Sequence, residues 1–326
     1  LNFNNGTYNL NTGKLRPHSP EDYFLYKIPW NYNVKSRFES SKIAKYFEQT
    51  LKPEYITFSQ ELFGYCLYYS YRYHGLFYLF GTGGNGKSVW TRLFGALLGN
   101  DNVSNKDTGT IAVDKFAAAR LYGKLANLCG ELNEDQLKKT DKLKSLTSGD
   151  RIEGEFKHKD PFSFENKAKI ISSCNKIPYS TDKTDGWYER QYVLPFLKKF
   201  RNSKQEDIDL LDKLITQREM EGLLKWAVQG LQRLTKNKKF SYPWPKKERY
   251  LMYQQNVKYF LYTFYAVSGN YTDTIPVKEI RDHYAEWCEK NDIPQASDQA
   301  LGTEITYFTK VKPSRDMRTY IKRVKE

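Results

Sequence analysis

The chain is poor in the residues that build metal centres and covalent cross-links: 326 residues hold four cysteines and four histidines. Cys66, Cys129, Cys174 and Cys288 are scattered with no C-x-x-C pair, and the histidines lack the spacing of metal ligands. Neither a zinc site nor a disulfide framework is expected, and a reducing cytosol is the expected compartment. Cys129 and Cys174 sit in apolar, strand-like runs and are expected to be buried free thiols. No apolar run approaches the ~18 residues needed to cross a membrane, so no membrane partner is expected. Internal repeats and low-complexity segments are absent too. Acidic charge is in short supply: 38 Asp and Glu face 52 Lys and Arg, a net charge of +14. That excess favours a polyanionic partner, most simply nucleic acid. A lysine-rich protein without such a partner would carry the same charge, so charge alone does not decide.

What is present is more specific. Gly81-Thr82-Gly83-Gly84-Asn85-Gly86-Lys87-Ser88 fits the nucleoside-triphosphate loop G-x-x-x-x-G-K-[ST] without a mismatch. An apolar run, Gly75–Phe80, precedes it, and Val89–Leu98 follows with helical spacing of apolar residues. A strand, a glycine turn and a helix N-terminus can turn backbone N–H groups onto phosphate oxygens. Lys87 is then expected on the β- and γ-phosphates and Ser88 on Mg²⁺. The plain alternative is a glycine-rich surface turn, but residue frequencies make a chance match about one in a hundred.

The length predicts about two domains, with room for a third small one. A start at Leu1 rather than Met predicts a fragment of a longer protein, which leaves room for an upstream domain. Residues 1–73 read as an N-terminal region: hairpin turns at Asn4-Asn5-Gly6 and Asn11-Thr12-Gly13, then helices over Ser36–Phe47 and Ser59–Tyr71. Residues 74–240 alternate strand-like and helical patterns, the mark of a parallel sheet covered by helices. Within them, Glu219–Leu234 carries an amphipathic stripe. Lys236–Arg249, basic and proline-bearing, reads as a linker. In residues 250–326, helical stripes at Val257–Phe264, Val277–Trp287 and Leu301–Ile305 precede two strand-like pieces, Tyr307–Val311 and Thr319–Val324, around Lys312–Asp316. Three helices and a basic hairpin is the order of a winged-helix domain, although any small α+β domain could produce it.

Four further positions fit phosphate chemistry. Lys124–Glu131 is a short apolar strand ending in an acid, and Glu131 is expected to order Mg²⁺ or the attacking water at the strand's carboxyl end. Glu134 or Asp135 is expected to share that role; an ordinary solvated acid is the alternative. Lys169–Asn175 is a second apolar strand, whose terminal amide can hydrogen-bond the γ-phosphate and the water. Alone, Asn175 reads as a turn residue. Between these strands, Ser148–Phe164 has strand-like flanks and a basic tip, where Lys157 and Lys159 can hold phosphates and His158 can hydrogen-bond or stack. From the tip alone, a solvated charged turn is the stronger reading. Arg190, just before a strand, can offer a guanidinium to a γ-phosphate in a neighbouring subunit or form a structural salt bridge.

Taken together, these residues resemble a superfamily 3 helicase, of the kind forming the C-terminal half of plasmid, satellite-phage and poxvirus primase–helicases. Asn4–Pro20 is similar to the segment before the ATPase in that group. Gly81–Ser88 matches its Walker A, the strand ending at Glu131 its Walker B, Leu146–Phe164 its hairpin motif and Asn175 its sensor. Arg190 falls at its arginine finger, in a segment usually read as Trp-Arg-Arg; Glu189 here replaces the first arginine. The resemblance implies an α/β fold: an AAA+-like P-loop ATPase core, a mainly helical N-terminal region and a C-terminal winged helix. It implies a ring, usually a hexamer, with ATP and Mg²⁺ between subunits and Arg190 acting in trans. Lys157 and His158 would line the channel on one DNA strand, with 3′-to-5′ translocation in the cytoplasm of a host cell. A primase–polymerase domain would lie upstream. Two other classes remain open: an ATP-switched origin-recognition or loading factor without unwinding, and a small-molecule P-loop kinase. The kinase reading leaves the charge and the C-terminal region unexplained.

Overall fold

The structure, a computed structural model, describes residues 1–132, 137, 139–268, 273–310, 318–319 and 321–324. The chain forms two compact units, Leu1–Lys247 and Glu248–Glu326.

The first unit opens with an antiparallel meander, β1 (Asn2–Phe3), β2 (Gly6–Asn9) and β3 (Lys14–Arg16). The second turn is closed by Asn9 Oδ1, which accepts from the N–H groups of Asn11 and Thr12. An irregular stretch leads to helices α1 (Lys42–Thr50) and α2 (Pro53–Cys66). Region 1–73 is therefore a meander, an irregular stretch and two helices rather than mainly helical. Both helices are also shifted from their expected positions. Ser41 caps α1 by accepting from the Ala44 N–H, so the helix starts there and not at Ser36. Pro53, at the first position of α2, starts that helix early. It ends by Cys66, because the Tyr65 hydroxyl bonds both the N–H and the carbonyl of Tyr73 and pins the returning chain.

A parallel sheet follows. Its strands are β4 (Leu76–Phe80), β5 (Val103–Ser104), β6 (Ala126–Cys129), β9 (Lys169–Cys174) and β10 (Gln191–Pro195), in the order β10-β4-β9-β6-β5. A separate antiparallel hairpin, β7 (Arg151–Gly154) and β8 (Phe162–Glu165), is inserted before β9. Strands β4, β9 and β10 are buried along their whole length, as in a sheet covered on both faces. The connections carry α3 (Lys87–Leu98), α4 (Thr108–Ile111), α5 (Lys115–Ala119), α6 (Thr140–Ser148) and α7 (Asp185–Tyr188), and α8 (Leu210–Leu214) and α9 (Gln217–Asn237) follow the last strand.

The core joins the N-terminal helices to the sheet. Phe63 of α2 lies 4.9 Å from Trp90 and 4.5 Å from Phe94 of α3, ring centre to ring centre, and Phe47 lies 5.2 Å from Trp226 of α9. Residues 1–73 and 74–240 are thus parts of one compact unit. The basic stretch after α9 is a correction to the linker expectation, because its aromatics dock. Phe240 is buried among Phe58, Tyr65, Phe77 and Tyr192. The Tyr242 hydroxyl donates to the Val193 carbonyl at 2.9 Å and accepts from its N–H at 3.0 Å. It thereby covers the open edge of β10, an edge strand that would otherwise present unpaired backbone groups.

The second unit begins within α10 (Lys246–Gln254), at Glu248. It contains α11 (Asn256–Phe264), β11 (Tyr265–Val267), β12 (Ile275–Pro276), α12 (Val277–Asn291), α13 (Asp298–Thr309), β13 (Arg318–Thr319) and β14 (Ile321–Arg323). Strands β11 and β14 pair antiparallel, as do β12 and β13. The expected strand from Tyr307 is corrected: Tyr307–Thr309 is the last turn of α13. The apolar stripe of Leu301 and Ile305 runs on to buried Thr309, and Lys310 ends the helix in a left-handed conformation, φ 57°. Lys312–Asp316 lies outside the described residues. Buried Arg249 donates to the Asn291 carbonyl at 2.7 Å and to the Tyr253 hydroxyl at 3.1 Å, tying α10 to the end of α12. Among the described residues, no helix is long and apolar enough to cross a membrane.

Two predictions follow from this packing. Where α2 crosses α9, a Cβ on Gly64 would stand 2.2 Å from the Ala227 carbonyl oxygen, and one on Gly230 would stand 2.4 Å from that of Gln60. Alanine favours a helix by up to ~1 kcal/mol over glycine. Here the obstacle is backbone, which cannot rotate away, so Gly64→Ala and Gly230→Ala should each lower stability by about 1–3 kcal/mol in urea unfolding. Second, Lys169 is wholly buried at the start of β9, where its Nζ donates to the Tyr68 carbonyl and lies 4.6 Å from the Tyr65 ring centre. Burial lowers its ammonium from 10.5 to about 7. Between these values the unfolded chain holds a proton that the folded chain has released, so stability rises with pH. Buried Cys66 and Cys174, pushed up from 9.0 to about 12, reverse the trend at higher pH. Unfolding free energy should therefore climb from pH 7 towards roughly pH 9, with a shallower slope in Lys169→Met.

Candidate active site

The glycine-rich loop leaves the carboxyl end of β4 and ends at the first residue of α3. Gly83, Gly84 and Gly86 have φ of 101°, 64° and 89°, the left-handed region that glycine enters without strain. Gly81 is required for space: a Cβ there would meet Asn85 Nδ2 at 1.9 Å. The loop is anchored on three sides. The Gly81 N–H donates to the Cys174 carbonyl at the end of β9, at 3.1 Å. Asn85 Nδ2 donates to the Phe196 carbonyl just beyond β10, at 2.7 Å. The Tyr46 hydroxyl of α1 donates to the Gly86 carbonyl at 2.8 Å. Thr82 and Ser88 remain exposed, Ser88 on the first turn of α3.

Lys87 is buried, and its Nζ faces three oxygens. It donates to the Gly81 carbonyl, to Asn85 Oδ1 at 3.3 Å and to Asn175 Oδ1 at 3.4 Å. The Asn175 amide in turn donates to Glu131 Oε1 at 2.8 Å. The sheet order explains this chain of contacts. Strand β9, which ends just before Asn175, lies between β4, which carries the loop, and β6, which leads to Glu131. Burial lowers the Lys87 pKa, with Cys174 and Glu131 acting in the opposite direction. Such an ammonium, faced by three neutral oxygens, can exchange those partners for the oxygens of an anion. Glu131 and Asn175 themselves are exposed. No hydrogen bond joins Ser88 to Glu131 among the described residues. Glu134 and Asp135 lie outside the described residues.

Two expected positions stand elsewhere. Arg190 precedes β10, and its carbonyl accepts from the Leu76 N–H at the start of β4. It is therefore at the amino end of the parallel strands, roughly 15 Å of strand away from its own loop. Its guanidinium donates to Thr147 Oγ1 at 3.2 Å, Ser148 Oγ at 2.7 Å and the Gly186 carbonyl. Thr147 and Ser148 end α6, immediately before the β7–β8 hairpin. That hairpin carries Lys157, His158 and Lys159, all exposed, with His158 left-handed at φ 61°. Beneath the tip, Phe156 stacks on Phe162 at 5.3 Å and the Lys115 ammonium pairs with Glu155.

Reading the sequence did not single out Tyr46, Thr147, Ser148 or the Phe196–Arg201 segment. Only tertiary structure brings these residues to the loop or to Arg190; the run of basic residues after β10 was the one available signal.

Comparisons with known proteins bear on this arrangement. A family model described as D5 N terminal like matches residues 1–64, and one described as a family of unknown function, DUF5906, matches residues 79–190. The chain is 27% identical over 213 residues to a protein of Acanthamoeba polyphaga mimivirus and 27% identical over 199 residues to one of Invertebrate iridescent virus 3. It is 26% identical over 224 residues to one of Invertebrate iridescent virus 6. Each of the three carries a helicase name given by inference. These matches cover 61%, 54% and 64% of this chain but 22%, 20% and 23% of the relatives, so the chain spans about a fifth of their length. Among solved structures, the apo C-terminal region of NrS-1 aligns over 86% of this chain and 66% of its own, with a TM-score of 0.52 and 15% identity. A second apo structure of that region aligns over 86% and 74%, at 0.50 and 14%. The last two likenesses establish a shared mixed α/β fold. The family and sequence matches support a D5-like primase–helicase family.

Asn85 tests the anchoring. It is buried, and alanine there would leave the Phe196 carbonyl without its donor and Lys87 without one acceptor. Asn85→Ala should lower stability by about 1–3 kcal/mol in denaturant unfolding.

Proposed function

We propose that this chain is the ATP-driven helicase part of a D5-like primase–helicase, of the superfamily 3 type, acting on DNA in replication. The observation that carries the reading is the line Lys87–Asn175–Glu131 at the carboxyl ends of three adjacent strands, beside a glycine loop running into a helix N-terminus. The residues fit a nucleoside triphosphate. The carbonyl oxygens now facing Lys87 stand where phosphate oxygens would compete for it, and the left-handed glycines leave the cradle free of side chains. Gly81–Ser88 would hold the phosphates, with Lys87 on the β- and γ-phosphates. Ser88 and Glu131 would hold Mg²⁺, an ion that commonly takes few protein ligands and completes its shell with water and phosphate. Bound Mg²⁺ would supply charge neutralisation on the phosphates. Asn175 would orient the attacking water while Lys87 stabilises charge developing on the transferred group.

Arg190 lies too far from its own loop to serve it, which favours action in trans at a site between subunits of a ring, usually a hexamer. Lys157, His158 and Lys159 would track one DNA strand through phosphate and stacking contacts, with no need to read sequence. Translocation would be 3′ to 5′ in a host-cell cytoplasm, and the core would be AAA+-like. The three helices and paired strands of the second unit would form a winged helix contacting DNA. An upstream primase–polymerase domain would supply primers in the same chain.

The test is strand displacement on forked DNA with ATP and Mg²⁺. Wild type should unwind, Lys87→Ala should lose both hydrolysis and unwinding, and Lys157→Ala/His158→Ala should keep basal hydrolysis while losing unwinding. Hydrolysis and DNA binding without displacement by an assembled oligomer would replace the motor with an ATP-switched loading factor.

A further inference from the structure

After β10 the chain does not leave the glycine loop. It turns back across it. The Phe196 N–H donates to the Phe80 carbonyl at 2.7 Å, and Phe196 in turn accepts from Asn85. Four residues on, the N–H groups of Phe200 and of the next residue, Arg201, both donate to the Gly84 carbonyl, at 2.7 and 3.1 Å. The direction of Arg201 is then fixed from its other side. Asn202 is left-handed at φ 63°, its N–H donates to Glu206 Oε2 at 2.7 Å, and the Ser203 N–H closes a turn onto the Phe200 carbonyl at 3.0 Å. The stem of Arg201 lies against the open face of Gly84: a Cβ on that glycine would stand 2.7 Å from Arg201 Cβ and 3.7 Å from its Cδ. Arg201 is exposed, and no hydrogen bond or ion pair engages its guanidinium among the described residues. Two backbone hydrogen bonds thus hold the stem of Arg201 against the loop, and its guanidinium has no carboxylate partner among the described residues.

We propose that Arg201 is a phosphate-binding residue of this site, contacting the polyphosphate of a nucleoside di- or triphosphate bound by the same subunit. The proposal rests on the reading of Gly81–Ser88 as a phosphate loop. A planar guanidinium carries paired N–H donors that match phosphate oxygens, and it adds a second cation to Lys87 without needing a neighbouring subunit. Because its stem lies on the loop that would hold the phosphates, it should discriminate by phosphate number. AMP, with a single phosphate, should be nearly indifferent to its removal, whereas ATP and ADP should not. A Cβ on Gly84 would displace the Arg201 stem, so the same position demands glycine for space as well as for its left-handed φ.

The experiment is calorimetric titration of ATP, ADP and AMP, each with Mg²⁺, into the whole chain as wild type, Lys87→Ala, Arg201→Ala and Arg201→Lys. Thermal melting without nucleotide serves as the control for folding. The expected result is unchanged melting of Arg201→Ala with about a 10- to 100-fold loss of ATP affinity, the range for one charge-assisted hydrogen-bond pair. ADP should fall as well, AMP should change little, and Arg201→Lys should recover part of the loss. If wild type binds ATP, Lys87→Ala does not, and Arg201→Ala binds ATP as wild type does, Arg201 has no phosphate role although the loop reading stands. An equal loss for AMP, or a lowered melting temperature that accounts for the loss, assigns Arg201 to holding the loop's shape and overturns the proposal. If wild type binds none of the three nucleotides, the reading of the loop falls, and this inference with it.

Discussion

The site depends on how the glycine loop is fastened. A chain segment rich in left-handed glycines has no side chains to pack and much conformational freedom to lose. Here its order comes from polar contacts at both flanks: the Cys174 carbonyl at the end of β9, the Phe196 carbonyl beyond β10, and the Tyr46 hydroxyl from α1. These anchors belong to three segments far apart in sequence, so the loop acquires its shape only when the sheet and the N-terminal helices have come together. Residues 1–73, which carry the Tyr46 anchor, accordingly belong to the same compact unit as the sheet. Tyr46 and Thr50 of α1 form the floor under Gly86, where a Cβ would lie 3.0 Å from Thr50 Cγ2.

The same constraint explains the chemistry of Lys87. A buried ammonium is costly unless hydrogen bonds replace its water. Its oxygens come from the loop itself and from Asn175, and Asn175 is tethered to Glu131. The amide therefore sits between a cation and an anion, oxygen towards the first and nitrogen towards the second. Few side chains other than asparagine, at the end of the strand between them, could satisfy both. The sheet order β4-β9-β6 places the three groups side by side, and the buried strands give them a rigid base.

Much of this was legible in the sequence because local rules dominate there. The loop pattern, the apolar runs of β4, β6 and β9, the amphipathic α9 and the hairpin flanks all follow from side-chain period and from glycine's freedom. What was not legible depended on competition between local and distant signals. Ser41 and Pro53 override the apolar stripes at the starts of α1 and α2 through capping and through a fixed φ. The basic stretch after α9 has a linker's composition, yet Phe240 and Tyr242 reach a core and a strand edge that only the assembled sheet provides. Tyr307 was read as strand from its β-forming neighbours, but the spacing of Leu301, Ile305 and Thr309 keeps it helical. In the site, Lys87, Asn175 and Glu131 could be placed by pattern. Tyr46 and the segment around Arg201 could not, since no motif marks a residue whose role is set by a backbone hydrogen bond to the loop.

The opposite end of the sheet carries a second polar cluster whose chemistry differs in kind. Arg190 is held by two hydroxyls and one backbone carbonyl, all neutral, and its Nη2 also lies 3.5 Å from His74 Nδ1. Its neighbour Glu189 is already engaged by Lys246, whose Nζ donates to the Glu189 carbonyl at 2.6 Å and reaches its carboxylate at 3.3 Å. Hydrogen bonds from a charged donor to neutral acceptors contribute about 1.5–3 kcal/mol each at most, and less when half exposed. A buried carboxylate partner would hold the guanidinium much harder, since breaking such a pair leaves a charge unmatched. Under the proposed function this difference matters. A guanidinium that must leave its own subunit's contacts to meet a phosphate next door can do so only if those contacts are weaker than the phosphate it gains. Hydroxyls at the base of the β7–β8 hairpin meet that condition, and they tie the movement of Arg190 to the segment bearing Lys157, His158 and Lys159.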